Sequence, residues 1–241
     1  MKNLCILLFS LLVTIGCAST SSSSLSQKDE VESMEKVNNY DGLINHYKQK
    51  LEDNPNDYTS MQSMAKAYFD KGDVESARFY SDYLIEKKVD NWQLLQMRGN
   101  IYHQDGDDVL AVEYYQRSID RGNQSGEVQM LVGISYCMLG RYPLAERSFN
   151  KARLKGYSDT AVKNNLALVK FAERDYREVV NILGPLYISD PTNKKVQANL
   201  AIALIKLGDI QKANEVLGGK YSSRQMSQMS QRLAVVNGGT I

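Results

Sequence analysis

The sequence is poor in the residues from which most catalytic and metal sites are built. Its 241 residues include three cysteines, two histidines and one tryptophan. It contains no Gly-x-Ser-x-Gly, no His-Glu-x-x-His, no phosphate-binding glycine loop and no paired cysteines of the zinc-site type. Three cysteines are also too few for a disulfide framework. We therefore expect a protein that is not an enzyme and that uses no metal, no cofactor and no small-molecule substrate.

The sequence also lacks an excess of charge of either sign. It has 29 basic and 28 acidic residues, a formal net charge of +1. No run of lysine and arginine is long enough to indicate binding to nucleic acid or to an anionic membrane, so both are excluded as primary partners. With only four prolines and 16 glycines, most of the chain is free to form ordered helix.

The N-terminal segment differs from the rest. After Lys2, an apolar run covers residues 4–15, which is shorter than the roughly 20 residues of a membrane-spanning helix and typical of an export signal. The run ends in Thr-Ile-Gly-Cys at Cys17, which resembles the cleavage box of bacterial lipoproteins. The resemblance implies a signal peptide over 1–16 and acylation of Cys17, and Ala18 resembles the residue that sorts such proteins to the outer membrane. The alternative is an ordinary secretory signal cut near Ala18.

A 34-residue period organises the remainder of the chain. Turn residues recur at this spacing, with one arginine among the glycines: Gly72, Gly106, Gly140, Arg174 and Gly208. Seven positions before each turn stands a small residue: Ala65, Gly99, Gly133, Ala167 and Ala201. Apolar residues recur at helical spacing on both sides of each turn, so each period predicts a helical hairpin. We expect first helices to start near 58, 92, 126, 160 and 194.

This pattern resembles the tetratricopeptide repeat. A small residue, two spacers, a tyrosine, a turn and an alanine follow one another, as at Gly99, Tyr102, Gly106 and Ala111. The family's tryptophan is missing and its closing proline is mostly absent. The resemblance implies an all-α solenoid, a right-handed superhelix of helical hairpins that we count as one array.

The domain organisation follows from these patterns. Residues 17–27 form a lipidated cysteine and a flexible Ser-rich tether, and 28–55 an atypical N-terminal repeat. Five full repeats occupy 56–221. Residues 222–241 are predicted to form a capping helix and a loose tail.

In a solenoid of this kind, the first helices line the inner wall. The first two full repeats of this chain place polar residues on the inner wall: Gln62, Lys66, Gln96, Asn100 and His103. Its last three repeats offer mainly apolar residues: Met130, Ile134, Leu168, Phe171, Ile202 and Ile205. We interpret these eleven residues as a groove for a protein partner, with an amphipathic helix fitting the apolar part. Two alternatives stay open: the chain's own C-terminal helix covers the groove, or these residues belong to the core between helices.

A lipoprotein signal, a short tether and five such repeats together resemble the TadD lipoproteins of tight-adherence (Flp) pilus systems. The segments 165–169 (Asn-Leu-Ala-Leu-Val) and 199–203 (Asn-Leu-Ala-Ile-Ala) carry the closer similarity. The resemblance implies a protein at the periplasmic face of the outer membrane that binds a secretin segment or another pilus-assembly component. Two alternatives are a type IV pilus pilotin and an envelope adaptor that recruits peptidoglycan-processing enzymes.

Overall fold

The computed structural model describes the backbone of residues 20–235 and the side chains of residues 28–234. This part of the chain contains thirteen helices and no strand, which confirms the all-α prediction. The helices are α1 Thr20–Lys36, α2 Tyr40–Asp53, α3 Tyr58–Lys71, α4 Val74–Glu86, α5 Trp92–Gln104, α6 Asp108–Asp120, α7 Gly126–Met138, α8 Tyr142–Leu154, α9 Asp159–Ala172, α10 Tyr176–Ser189, α11 Lys194–Lys206, α12 Ile210–Val216 and α13 Ser223–Val235. Among the described helices, none has the length and apolar content needed to cross a membrane.

The helices form stacked hairpins, as the period predicts. In the C-terminal part, α5 packs with α6, α7 with α8, α9 with α10 and α11 with α12, and the second helix of each hairpin contacts the first helix of the next. The chain nevertheless divides into two compact units, one ending at Tyr80 and one beginning at Ser81. The prediction of one array is therefore refined to two units, which we call unit 1 and unit 2.

The turns adopt the left-handed backbone that the glycines indicate. Gly106, Gly140 and Gly208 have φ of 80°, 67° and 84°, a region that side chains adopt only at a cost. The turn at Arg174, which has no glycine, adopts the same geometry, with φ of 61°. The 34-residue period therefore continues through the fourth repeat with a strained residue in place of glycine.

The interior explains why two of the small residues are glycines. A Cβ atom added at Gly99 would lie 2.4 Å from Cε1 of Tyr115, and one added at Gly133 would lie 2.4 Å from Cε1 of Phe149. Both aromatic side chains are completely buried. Glycine is thus required here because a large ring packs directly against the helix backbone.

The two ends of the described chain differ in part from the prediction. The Ser-rich segment is helical from Thr20, as the first turns of α1, rather than a flexible tether throughout. The reason is that a helix already formed by the packed residues after it extends into neighbouring residues at little cost. In unit 1, Val31 and Met34 of α1 pack against Leu43 and Ile44 of α2. The signal peptide, Cys17 and the end of the tail lie outside the described residues.

Candidate functional site

The inner surface of unit 2 is formed by the first helices of its hairpins. Helix α7 packs beside α9, and α9 beside α11. Residues 34 positions apart therefore lie next to one another on the same surface. Ile134, Leu168 and Ile202 occupy one such row on α7, α9 and α11.

This row forms an apolar strip that is partly open to solvent. Leu168 is 44% exposed, and Ile134 and Ile202 are half-buried. A fourth member, Met138, is 67% exposed and is not among the residues predicted from the sequence. The available signal was its position four residues after Ile134, on the same face of α7. We call these four residues the apolar strip.

Two predicted groove residues are not accessible. Met130 is 4% exposed and packs in the core with Phe149 and Val162. Ile205 is 6% exposed and packs in the core that joins α9 to α13. Both side chains are turned from the inner wall toward neighbouring helices. For these two residues the core alternative is correct, and neither lines the candidate site.

Phe171 and Cys137 lie beside the strip and are half-buried. The Phe171 ring packs 6.0 Å from the ring of Tyr176, centroid to centroid, so it supports α10 as well as the surface. Burial raises the pKa of the Cys137 thiol to about 11, with a further contribution from the charge of Glu146. The thiol is therefore protonated near neutral pH and unsuited to act as a nucleophile.

The polar end of the surface is held by contacts within the chain. Asn100 accepts a hydrogen bond from the Tyr115 hydroxyl at 2.9 Å. His103 Nδ1 lies 2.7 Å from Asp108 Oδ1, and Asp108 is 4% exposed. These contacts fix Asn100 and His103. They use Asn100 Oδ1 and His103 Nδ1, and they do not involve the Asn100 amide nitrogen or His103 Nε2.

Gln96 belongs to the same polar end. Its side-chain oxygen accepts a hydrogen bond from Asn123 at 2.6 Å, and its nitrogen donates to Glu127 at 3.2 Å. Asn123 is 4% exposed. Gln96 of α5 therefore contacts both the turn after α6 and the start of α7.

The remaining two predicted groove residues lie in unit 1. Lys66 forms an ion pair with Asp70 on the same helix and lines a cavity of about 370 Å³ with Tyr47 and Ser63. Gln62 is half-buried on α3. Gln62 and Lys66 thus belong to unit 1, whereas Gln96, Asn100 and His103 belong to unit 2.

The C-terminal helix caps the array instead of covering the strip. Helix α13 packs against α11 and α12, the same relation that α11 has to α9 and α10. Met226 is 1% exposed in the core that it completes. The Lys206 ammonium donates to the backbone carbonyl of Leu233, near the negative end of the α13 dipole. Helix α13 lies within the segment 222–241 that is predicted to hold a capping helix, and Leu168 is 44% exposed.

Within residues 28–234, no group of three or more His, Cys, Asp or Glu side chains is arranged to hold a metal ion. The described surface offers side chains for contact with another molecule: an apolar strip with a polar end. Solenoids of stacked hairpins present extended concave surfaces of this kind.

Comparison with known proteins agrees with the fold. A profile described as tetratricopeptide repeat matches residues 93–121, which cover most of α5 and all of α6. A tetratricopeptide repeat protein from Parabacteroides merdae is similar in structure, with a TM-score of 0.67, 15% identity and coverage of 90% of this chain and 88% of that one. No curated protein matches in sequence.

Two further solved structures are similar. YrrB, described as a tetratricopeptide repeat protein with an unusual peptide-binding site, has a TM-score of 0.61 and 15% identity over 77% of this chain and 97% of that one. The pilF protein of Pseudomonas aeruginosa has a TM-score of 0.58 and 16% identity over 74% of this chain and 83% of that one. At these identities the similarity concerns the fold, which is that of a tetratricopeptide-repeat solenoid.

Proposed function

We propose that this tetratricopeptide-repeat protein is an acylated lipoprotein at the periplasmic face of the outer membrane, where it binds a protein partner during assembly of the tight-adherence (Flp) pilus. The observation that carries the binding role is the apolar strip. Its four residues face a shared surface and are not covered by α13, the helix most able to cover them. Apolar surface of this kind typically marks an interaction site.

The strip suits an amphipathic helix better than an extended peptide. Its row of Ile134, Leu168 and Ile202 is apolar from helix to helix, and anchors at i, i+3, i+4 and i+7 of a bound helix can follow such a row. An extended peptide instead requires hydrogen-bonding groups along its backbone. Those groups are concentrated at the polar end, where Asn100 and His103 already have partners within the chain. The peptide-binding site that gives YrrB its description supports a binding role for the same fold here.

We propose a segment of the secretin channel as the partner, which the resemblance to TadD lipoproteins implies. The type IV pilus pilotin alternative shares the anchor, the length and the repeats. The adaptor alternative predicts binding to peptidoglycan-processing enzymes. The genes next to this one separate the first two, because a tight-adherence cluster and a type IV pilus cluster have different contents.

Deletion of the gene tests the biological role. We expect the mutant to lose Flp pili and to mislocalise the secretin, while its cell shape stays normal. Normal piliation in the mutant contradicts the proposal, and an altered cell shape with intact pili favours the adaptor alternative.

A charge placed in the strip tests the binding surface. In Leu168→Asp we expect capture of the cognate secretin from envelope extracts to fall by about tenfold or more, because a desolvated apolar anchor becomes charged. Val109→Asp is the matched control, since Val109 is 57% exposed on α6 and lies outside the strip. Circular dichroism checks that both variants keep their helices. Equal capture by Leu168→Asp and the wild type excludes the strip as the binding site.

A further inference from the structure

The outer face of α8 carries exposed cations with no acidic neighbour on that face. Arg147, Lys151 and Leu154 are spaced by four and three residues, which places them on one face of the helix, and all three are exposed. The single acidic residue of α8, Glu146, pairs with Lys170 of α9 at 2.5 Å. Neither Arg147 nor Lys151 forms an ion pair within the described part of the chain.

Two protruding aliphatic side chains lie at the same end of this surface. Leu154 is 85% exposed and Ile188 is 80% exposed, the largest exposures among the large apolar residues described. They are 34 positions apart, so they occupy equivalent places at the ends of α8 and α10. Arg177 is also exposed on the outer face of α10. We call Arg147, Lys151, Leu154, Arg177 and Ile188 the outer patch.

The outer patch stops at α6. The positions on α6 equivalent to Arg147 and Leu154 hold Glu113 and Asp120, which are both exposed. The position equivalent to Lys151 holds Arg117, so the outer face of α6 is mixed in charge whereas that of α8 is basic. The patch forms no basic run in the sequence because its cations are separated by a helical turn or by a whole repeat.

We propose that the outer patch rests on a bilayer surface that contains anionic phospholipid. The cations would contact lipid phosphates, and Leu154 and Ile188 would enter the headgroup region, a combination typical of proteins that lie on anionic membranes. In a solenoid of stacked hairpins the concave surface is the inner one, so the outer face of the second helices is better suited to a flat bilayer than to enclosing a peptide. The inference does not depend on what occupies the apolar strip.

Vesicle binding tests this inference with the full-length chain carrying Cys17→Ser, so that no acyl group contributes. The apolar segment at 4–15 is present in every variant, and the measured quantity is the preference for vesicles of phosphatidylcholine with phosphatidylglycerol over phosphatidylcholine alone. We expect a preference of about a hundredfold at low salt, because three cations near the surface contribute together, and its loss at high salt. Arg147→Glu with Lys151→Glu should abolish it.

The matched control is Lys195→Glu with Lys220→Glu, two exposed lysines outside the outer patch. It changes the net charge by the same amount and should keep most of the preference. Two outcomes overturn the proposal. One is a wild type that binds both vesicle types equally, which leaves an acidic protein as the better partner for the patch. The other is equal loss of preference in the patch variant and the control.

A fluorescent probe locates the contact independently. In a Trp92→Phe background, Leu154→Trp should show a blue shift with phosphatidylglycerol vesicles and none with phosphatidylcholine alone. Asp120→Trp places the probe at the equivalent position one repeat earlier and should show no shift. Equal shifts in the two variants contradict a contact made by the outer patch.

Discussion

The hairpins α5/α6 and α7/α8 fill their interiors differently from the hairpins α9/α10 and α11/α12. The first pair, with the turns that join it, buries seven polar or charged residues: Arg98, Asp108, Ser118, Asn123, Gln129, Ser135 and Ser148. After Ser148, none of the described polar residues is buried. The first pair also packs glycine against an aromatic ring, whereas the second packs Ala167 with Leu183 in an aliphatic core.

The difference shows that one 34-residue backbone plan accommodates two kinds of core. In the first pair, stability depends on particular shapes and hydrogen bonds, since a buried polar group without its partner is costly. In the second pair, it depends mainly on the amount of aliphatic surface buried. Substitutions that conserve hydrophobicity alone should therefore be tolerated better in α9–α12 than in α5–α8.

The largest expected effect is at Arg98, which is 4% exposed. Its guanidinium lies 2.8 Å from Asp82, donates to the Tyr102 hydroxyl at 2.8 Å, and is 4.8 Å from the Tyr102 ring centroid. Arg98→Ala removes these contacts and leaves a cavity, so we expect a loss of about 2–5 kcal/mol in the free energy of unfolding. Denaturant unfolding followed by circular dichroism measures it.

Arg98→Met sharpens this prediction. The equivalent positions in the following repeats are apolar, as at Leu166 and Leu200, and well-packed apolar residues often replace buried ion pairs at no cost. Asp82 is half exposed and can be hydrated once its partner is gone. The hydroxyls of Ser81 and Tyr102 lose the guanidinium as donor, so we expect Arg98→Met to recover only part of the alanine loss and to stay about 1–2 kcal/mol below the wild type. A methionine variant as unstable as the alanine variant means that the polar contacts themselves, not the filled volume, stabilise this hairpin.

The next effect concerns the glycine and ring pairs. Gly133→Ala forces a methyl group against Phe149, and we expect a loss of about 1–3 kcal/mol from overpacking. Adding Phe149→Leu reproduces the combination of Ala167 and Leu183, so much of the loss should be recovered. The reverse change, Ala167→Gly, should cost only about 0.5–1 kcal/mol through backbone entropy. A double variant no more stable than Gly133→Ala shows that the close contact is not the cause.

The fold could be predicted from sequence because its signals are local and repeated. A turn residue every 34 positions predicts the helix starts, and the same spacing identifies the turn at Arg174, where glycine is missing. The identity of each core could not be predicted in this way. The sequence shows that positions 99 and 133 hold small residues. It does not show that Gly99 packs against Tyr115 and Gly133 against Phe149, because these contacts depend on how closely two helices approach.

The candidate site was predicted only in part, for a related reason. Position within a repeat places Leu168 on the inner wall, and this side chain is 44% exposed. The same reasoning placed Met130 and Ile205 there, but a small rotation of a helix about its axis carries a side chain at the edge of a face into the core. The sequence does not specify that rotation, because packing against the neighbouring hairpins sets it. The lipid anchor and the pilus role stay predictions.

The smallest expected effect is at the turn between α9 and α10. Arg174 has φ of 61°, whereas the equivalent turn between α7 and α8 has glycine at 140 with φ of 67°. A left-handed conformation costs a residue with a side chain about 1–2 kcal/mol, and the greater entropy of glycine in the unfolded chain offsets part of any gain. Arg174→Gly should therefore stabilise the protein by about 0.5–1 kcal/mol, measured as a shift in the denaturation midpoint. Arg174→Ala keeps the strain and is the control. If both variants stabilise equally, relief of the backbone strain is not the reason.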